Sequence, residues 1–258
     1  MILAGVHGDE KCEVEVLEKI LTNLKIENGR VFLGYGNPRA IKGSQRFTEA
    51  NLNRMFKKDD LLLDNEKKSY EYRRAQFLKR YLNKAEALLD IHASHTPTSK
   101  PFIICERNAE KITKYLPIDL IVSGFEKVQP GATDGYMDSI GKIGICVECG
   151  YLGNPKSTKI AEEIFFAFLK AREHVTNNQT LTKKVYIQIN SLYITKTDNF
   201  TLSKSFDDFE RISKGQVIGI DEEERVVVKR DSIITFARNR KQIGEEAFLL
   251  GKERDDFV

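Results

Sequence analysis

Hydrophobic and polar positions in the first two thirds of the chain alternate between strand-like and helix-like patterns. Short apolar runs at residues 2–6, 31–34, 88–91, 102–105, 119–122 and 143–148 predict buried strands. Between several of these runs, apolar residues recur at every third or fourth position, as on a helix with one buried face. Two such helices are marked by Val14, Leu17, Ile20, Leu21 and Leu24 and, from about Glu66, by Ala75, Leu78, Tyr81, Leu82, Ala85, Leu88 and Leu89. This order predicts an α/β fold with a mixed, mainly parallel sheet flanked by helices.

The connecting segments add a third helix and a long polar loop. Asn154 is a good helix cap and Pro155 suits a first turn, so a helix is predicted over residues 156–175. Residues 35–64 are polar and are broken by Gly36, Pro38 and Gly43. A loop of this length in a compact domain is usually functional or disordered.

The pattern changes after about Asn177. Residues 177–180 are polar, and Val185, Ile187 and Ile189 then alternate with polar residues, as in a half-buried strand. Short apolar runs follow at 217–219, 226–228 and 233–234, without a convincing helix. We therefore predict an α/β domain over residues 1–177 and a small β-rich C-terminal domain over 178–258.

Composition narrows the class of protein. Hydrophobic residues make up 41% and charged residues 31% of the 258 positions, which favours a globular chain over a disordered one. No apolar run approaches the ~20 residues of a membrane span, and the first residues lack the basic flank of a signal peptide. A net charge of +3, with both signs interspersed, argues against nucleic-acid binding. We expect a cytoplasmic protein with reduced cysteines and neither a membrane nor a nucleic-acid partner.

Several polar side chains follow directly on predicted strands, where α/β sheets bind their ligands. His7 and Glu10 are three positions apart at a helix onset, so one cation can reach both. His92 ends another strand. Two histidines and one glutamate would make a three-ligand zinc site with one open position, as in catalytic zinc centres. The alternative is that His7 and Glu10 cap the helix and that His92 is an ordinary strand end. His95 is left open as a loop residue, a substrate contact or a further ligand.

Two further features suit hydrolysis at such a centre. Arg46, Asn53 and Arg54 lie in the long polar loop, where guanidinium and amide groups can bind a carboxylate or an oxyanion. Glu148 ends an apolar strand at the same predicted sheet edge. Partial burial there would raise its pKa and suit it to accept a proton from water. The alternatives without a function are that Arg46, Asn53 and Arg54 belong to a solvated basic loop and that Glu148 pairs with a nearby lysine.

These residues resemble the succinylglutamate desuccinylase/aspartoacylase family, zinc-dependent deacylases with a zinc-carboxypeptidase-like fold. The resemblance covers residues 3 to about 150, and the matching motifs occur in the family's order. They are Gly5-Val6-His7-Gly8-Asp9-Glu10, Gly36-Asn37-Pro38-Arg39-Ala40, Arg46, Asn51-Leu52-Asn53-Arg54, Arg73-Arg74-Ala75, Asp90-Ile91-His92 and Val147-Glu148-Cys149-Gly150.

The resemblance implies a role for each matching residue. One zinc per chain would be held by His7, Glu10 and His92. Glu148 would be the general base and then the acid that protonates the leaving amine, while Arg46 would polarise the scissile carbonyl. The carboxylate of a small N-acyl amino acid would be held by Asn53 and Arg54. The substrate would thus be a small carboxylate-bearing molecule, hydrolysed at its acyl-amide bond by metal-activated water.

The sequence departs from the family in two places. Aspartoacylase-like members carry an arginine about ten residues before the base, where this chain has Asp138, with Lys142 as a possible substitute. Asp138 would repel a second substrate carboxylate, which argues against N-acetylaspartate. Family members also usually have residues before the first zinc-motif strand, so we expect either a missing edge strand or a recorded start inside the natural one.

Two other functions fit the same residues. A metallocarboxypeptidase acting on short peptides would use the same mechanism and the same carboxylate contacts. A non-catalytic metal-binding or interaction module would keep the fold and act through its C-terminal domain, although such a protein has no need of a base at Glu148. The sequence does not fix the acyl group or the amine, and it leaves both a monomer and a homo-oligomer open.

Overall fold

The computed structural model describes residues 1–176 and 180–257. Residues 177–179 of the predicted linker, and with them the predicted domain boundary, lie outside the described residues. The chain forms two compact units. The first comprises Met1–Ile121 and Pro130–Lys184, and the second comprises Val122–Gln129 and the chain from Val185 onwards.

The strands of the first unit lie in the order β2-β1-β3-β6-β4-β5, where β5 contributes Leu120 and Ile121 to this unit. Strand β1 runs parallel to both β2 and β3, β3 runs parallel to β6, and β4 is antiparallel to β6. The prediction of a mixed, mainly parallel sheet is therefore confirmed. The strands are β1 (Ile2–Ala4), β2 (Leu33–Tyr35), β3 (Ala87–Ser94), β4 (Phe102–Cys105), β5 (Leu120–Ser123) and β6 (Ile143–Tyr151).

Helices connect these strands, and all but α6 begin and end in the first unit. They are α1 (Lys11–Leu21), α2 (Pro38–Gly43), α3 (Asp64–Lys68), α4 (Tyr70–Leu82), α5 (Glu110–Thr113), α6 (Phe125–Val128), α7 (Thr133–Ser139) and α8 (Pro155–Ala171). Short 3-10 turns occur at Leu52–Arg54, Asp59–Leu61 and Arg107–Ala109. The predicted long helix is divided at Ser69 into α3 and α4, and it ends at Leu82, where the chain turns before entering β3.

Helix α2 lies within the segment that the sequence pattern assigned to a loop. The Asn37 side chain caps it by accepting a hydrogen bond from the Ala40 N–H, and Pro38 opens its first turn. The same Asn-Pro signal correctly predicted the start of α8 at Pro155. It was missed at Asn37 because a six-residue helix offers no apolar periodicity.

The core beside β1 and β3 is built from helices α4 and α7 and from the polar loop. Four apolar residues of the loop region, Leu52, Met55, Phe56 and Leu62, are buried in it, so this region is folded against the core. The cluster comprises Leu3, Val6, Leu52, Met55, Phe56, Leu62, Ala75, Leu78, Leu82, Ala85, Leu88 and Met137. Each large aliphatic side chain buried in this way contributes roughly 1.5–3 kcal/mol.

The second unit consists almost entirely of antiparallel strands. Four of its strands lie in the order β7-β13-β12-β9, and a three-stranded sheet has the order β11-β10-β8. The strands are β7 (Val185–Ile194), β8 (Phe200–Leu202), β9 (Glu210–Ile212), β10 (Val217–Asp221), β11 (Glu224–Val227), β12 (Ser232–Thr235) and β13 (Glu246–Arg254). The sequence pattern missed β13. No helix in the described part of the chain is long and apolar enough to cross a membrane.

Candidate active site

The connection from β1 to α1 brings His7 and Glu10 to the carboxyl end of the sheet. Gly5 takes a φ of +67° at the turn out of β1, a conformation that favours glycine. Glu10 then occupies the N-cap position of α1. Gly8 packs against α2 so closely that a Cβ atom there would lie 2.0 Å from the Ala40 carbonyl carbon. The turn at Gly5 and the contact of Gly8 with α2 therefore both restrict the backbone of this connection.

The carboxylate of Glu10 lies between the two predicted histidine ligands. Its Oε1 is 2.8 Å from Nδ1 of His7, and its Oε2 is 2.9 Å from Nδ1 of His92. The Ala93 N–H also donates to Oε2, at 3.2 Å. All three side chains are buried, and one donor atom from each lies within 4.8 Å of the others. The fold thus brings together His7 and Glu10, which follow β1, and His92, which lies near the end of β3.

The outward ring nitrogens of both histidines face oxygen atoms. Nε2 of His7 lies 3.1 Å from Oδ1 of Asn51, and Nε2 of His92 lies 3.3 Å from Oδ2 of Asp90. Asp90 also accepts a hydrogen bond from the Thr133 hydroxyl. Such outer partners fix the tautomer and the ring orientation of metal-ligating histidines. Sequence reasoning missed both roles, although Asp90 and His92 are two apart on a strand and therefore share a face.

Burial and the neighbouring charges shift the pKa values of Glu10 and His92 in opposite directions. Burial alone would raise the pKa of Glu10, but His7 and His92 hold it well below its ordinary value. Burial likewise would lower the pKa of His92, yet the carboxylates of Asp90 and Glu10 raise it well above the ordinary value. For His7, burial outweighs Glu10 and lowers the pKa. The cluster therefore has an ionised carboxylate at its centre.

Arg46 lies at the open side of the cluster. Its Nη1 is 3.1 Å from Oε1 of Glu10, and 41% of its side chain is exposed. The backbone at Arg46 is anchored as well, because its carbonyl accepts a hydrogen bond from the Gly8 N–H at 3.3 Å. The guanidinium thus reaches both the buried carboxylate and solvent, where a ligand would enter.

Asn53 and Arg54 follow Asn51 in a 3-10 turn. Oδ1 of Asn51 accepts a hydrogen bond from the Asn53 N–H at 3.0 Å while it contacts His7. Leu52 is fully buried and anchors the turn, and Nη1 of Arg54 donates to the Asn53 carbonyl at 2.8 Å. The structure therefore places the predicted carboxylate-binding pair directly beside a partner of the histidine cluster.

Glu148 is brought to the same edge by β6. It pairs with His92 in the parallel register of β3 and β6, so the two side chains extend from the same face of the sheet. Cys146 and Cys149 flank it in β6 as buried, free cysteines. Burial raises the pKa of both thiols well above the ordinary value, which disfavours a redox or metal-ligating thiolate.

The remaining histidines differ in position. His95 follows β3, and its Nε2 lies 2.9 Å from Oδ2 of Asp9, so it belongs to the rim of the cluster. Asp9, Glu10 and His95 also bring one donor atom each within 4.8 Å of one another. His174 is at the surface, with Nδ1 2.8 Å from the Asn28 carbonyl oxygen.

The structure places Asp138 and Lys142 away from this edge, contrary to the sequence argument. Lys142 directly precedes β6, and its Nζ donates to the Asn83 carbonyl at 2.5 Å. Nδ2 of Asn108 donates both to Asp138 and to the Lys142 carbonyl. Both residues therefore lie at the amino end of β6, whereas Glu148 is near its carboxyl end. Neither side chain therefore lies beside the histidine cluster.

The fold and the site together define an α/β protein with a candidate metal centre at the carboxyl ends of parallel strands. Residues 1–173 match the family described as the succinylglutamate desuccinylase/aspartoacylase catalytic domain. The chain belongs to this family of deacylases, as its motifs predicted.

Curated relatives share a short segment with the chain. A succinylglutamate desuccinylase from Pseudomonas putida is 42% identical over 60 residues, which are 22% of this chain and 18% of that protein. One from Pseudomonas aeruginosa is 33% identical over the same shares of both chains. The match therefore spans under a fifth of the length of these relatives.

Solved structures share the fold over nearly the whole chain. A succinylglutamate desuccinylase from Vibrio cholerae superposes with a TM-score of 0.80 at 19% identity, covering 99% of this chain and 83% of that one. The ectoine utilization protein EutE (DoeB) from Ruegeria pomeroyi, in a product-bound structure, gives a TM-score of 0.71 at 17% identity, covering 97% and 84%. These likenesses establish a common architecture.

Proposed function

We propose that the protein is a zinc-dependent amidohydrolase that cleaves the acyl-amide bond of a small N-acyl amino acid or a related carboxylate-bearing amine. The observation that carries this proposal is the buried set of His7, Glu10 and His92, with Arg46 at its open side. Family membership supports removal of an acyl group, and the names of the curated relatives support an acyl-amino acid substrate.

The donor set fits zinc. Two imidazole nitrogens and one carboxylate leave a fourth position open, as in catalytic zinc sites. The contacts of Nε2 with Asn51 and Asp90 leave Nδ1 of each ring directed at the shared carboxylate. We infer one zinc per chain, held by His7, Glu10 and His92. When bound, zinc would supply Lewis acidity toward water and toward the scissile carbonyl.

The protein groups then have distinct tasks. Arg46 would donate hydrogen bonds to the carbonyl oxygen as negative charge develops on it. Asn53 and Arg54 would hold the substrate carboxylate, for which a guanidinium fork and an amide are well suited. Glu148 would take a proton from the attacking water and return it to the leaving amine. Its place beside His92 in the register of β3 and β6 supports this role.

The first experiment measures metal. Elemental mass spectrometry of the purified protein is expected to find about one zinc per chain in the parent, and none in His92→Ala. His174→Ala is the matched control, because His174 is a partly buried histidine outside the cluster. A parent that holds no zinc and takes up none on addition would contradict the proposal.

The second experiment tests the reaction. The zinc-loaded parent is incubated with a panel of N-acyl amino acids and short peptides, and the products are identified. Release of a carboxylic acid and a free amino acid supports deacylation, whereas stepwise release of C-terminal residues from peptides would assign a carboxypeptidase. Glu148→Gln is expected to keep zinc and to lose at least about a hundredfold in kcat. A Glu148→Gln protein as active as the parent would refute the mechanism.

A further inference from the structure

The loop that carries the substrate-binding residues is fastened to helix α4 by one buried carboxylate. Glu71, which is 0% exposed, accepts five hydrogen bonds from the segment around this loop. Its Oε1 accepts from Nδ2 of Asn37 at 3.1 Å, from the Thr48 N–H at 2.7 Å and from the Thr48 hydroxyl at 2.6 Å. Its Oε2 accepts from the N–H groups of Glu49 and Ala50, each at 3.1 Å.

We propose that Glu71 is a positioning residue for substrate binding, which acts by holding the backbone of residues 48–50 so that the adjoining turn presents Asn53 and Arg54. The proposal deepens the function proposed above and rests on it for the roles of these two residues. Nothing places Glu71 itself in contact with substrate. Its effect is transmitted through the loop backbone.

Only an ionised carboxylate satisfies this arrangement. Both oxygens of Glu71 face hydrogen-bond donors, so a protonated acid or an amide would turn a donor toward other donors. Burial would raise the pKa of Glu71, but the hydrogen bonds from Thr48, Asn37 and Ala50 lower it overall. Glu71 also lies in the first turn of α4, where the helix dipole favours a negative charge.

The next turn of the same helix holds the beginning of the loop. Nε of Arg74 donates to the Gly36 carbonyl at 2.8 Å, and its Nη2 donates to the Tyr35 carbonyl at 2.7 Å. Residues three apart on a helix share a face, so Glu71 and Arg74 act from one side of α4. The helix therefore fixes the loop both where it leaves β2 and where it approaches the histidine cluster.

The contacts predict which kinetic constant depends on Glu71. Arg46 has anchors of its own, through the Gly8 N–H and through Glu10. The turn with Asn53 and Arg54 follows directly on the three residues that Glu71 holds. Loss of the Glu71 carboxylate should therefore weaken binding of the substrate in the ground state and the transition state alike. We expect KM to rise and kcat to change little.

The test compares Glu71→Gln with Glu49→Gln in the zinc-loaded protein. Glu49 is a glutamate of the same loop whose Oε2 accepts a hydrogen bond from the Tyr70 N–H, which an amide oxygen can also accept. Its Oε1 lies 3.8 Å from Nη1 of Arg39 in an exposed ion pair, which contributes little. For Glu71→Gln we expect zinc content as in the parent, a rise in KM of about tenfold or more, and a change in kcat below about threefold. For Glu49→Gln both constants should stay at the parent values.

Hydrogen exchange gives a readout that does not depend on activity. The N–H groups of Thr48, Glu49 and Ala50 should lose protection in Glu71→Gln, while the strands β3 and β6 keep theirs. A parent without any acyl-amino acid hydrolysis would refute the proposed function, and exchange would still decide whether Glu71 orders the loop. A Glu71→Gln protein with lowered stability, parent-like KM and protected loop amides would overturn the proposal.

A milder pair of variants covers the case in which Glu71→Gln does not fold. Thr48→Val removes one of the five donors and leaves the backbone N–H in place, whereas Thr48→Ser keeps the hydroxyl. We expect KM to rise about threefold in Thr48→Val and to return to the parent value in Thr48→Ser, because four donors still hold the Glu71 carboxylate and only part of the lost hydrogen bond is felt at the turn. An equal KM in both variants would contradict the proposal.

Discussion

At the scale of single residues, the carboxylate of Glu10 organises the site. It contacts the two buried histidines, the Arg46 guanidinium and the Ala93 N–H at the same time. A metal bound by the histidines would share this carboxylate with Arg46. The position of the guanidinium therefore depends on Glu10 as much as on its own loop.

Arg46 offers a direct test of this arrangement. Arg46→Ala should lower kcat by about 10²–10³, because a donor to the developing oxyanion is lost, while zinc content stays at the parent level. Arg46→Lys should recover only part of the activity, since an ammonium group cannot bridge Glu10 and the substrate with a planar fork. Steady-state kinetics and metal analysis measure both effects. A kcat for Arg46→Ala equal to that of the parent would exclude the role.

The lowered pKa of Glu71 predicts how stability depends on pH. A carboxylate with a lowered folded-state pKa stabilises the fold above its unfolded pKa of about 4.3, and this contribution is lost as the pH falls through the folded value. The Tm of the parent should therefore exceed that of Glu71→Gln at pH 7, and the gap should narrow below about pH 4. Thermal unfolding of both proteins from pH 7 to 3 measures it. A gap that is constant over this range would contradict the assignment.

At the scale of elements, the approach of the β1–α1 connection to α2 fixes the cluster. Gly8 lies against the backbone of Ala40 and Ile41, with no space for a side chain. A helix of only six residues thereby supports the segment that carries His7 and Glu10. This explains why α2 belongs to the site although it supplies none of the predicted ligands.

Gly8→Ala is therefore expected to damage both stability and metal binding. A Cβ atom 2.0 Å from the Ala40 carbonyl carbon forces the backbone apart, at a cost of about 1–3 kcal/mol or more. Gly34→Ala is the matched control, because the nearest atom to its Cβ would be 3.8 Å away. Denaturant unfolding and zinc titration of the two variants measure the difference. Equal behaviour of both variants would show that the close contact is not required.

At the scale of the whole molecule, every predicted site residue belongs to the first unit. The second unit has its own core of aromatic and aliphatic side chains. It also has its own buried polar centre at Asp221, which accepts hydrogen bonds from the Tyr193 hydroxyl at 2.7 Å and from the Lys196 N–H at 2.8 Å. We therefore expect that a change inside the second unit leaves the metal site of the first unit intact.

Asp221→Asn tests this separation. Replacing the acceptor carboxylate should cost about 1–3 kcal/mol, because an amide turned toward these donors leaves buried groups unsatisfied. Hydrogen exchange should rise within residues 185–257, while the first unit keeps about one zinc per chain. Loss of zinc from Asp221→Asn would show that the metal site depends on the second unit.

The predicted and observed structures agree where the signal is local. The sequence correctly predicted strands β4 and β6 from their apolar runs. It also predicted from their spacing that His7 and Glu10 lie close together. Both signals come from a few neighbouring residues and need no knowledge of the packing. The motif order also predicted the family correctly. By contrast, α7 was missed, and the segment 122–129 was not expected in the second unit.

The sequence by itself therefore determined the α/β class, the family and the candidate ligands, because each depends on short-range pattern or on motif order. Only the tertiary structure decided that Asn51 and Asp90 face the histidines, that Lys142 lies at the opposite end of β6, and that Glu71 holds the loop. Glu71 looks like an ordinary polar helix residue in the sequence. Its five donors come from segments far from it along the chain, and only packing brings them together.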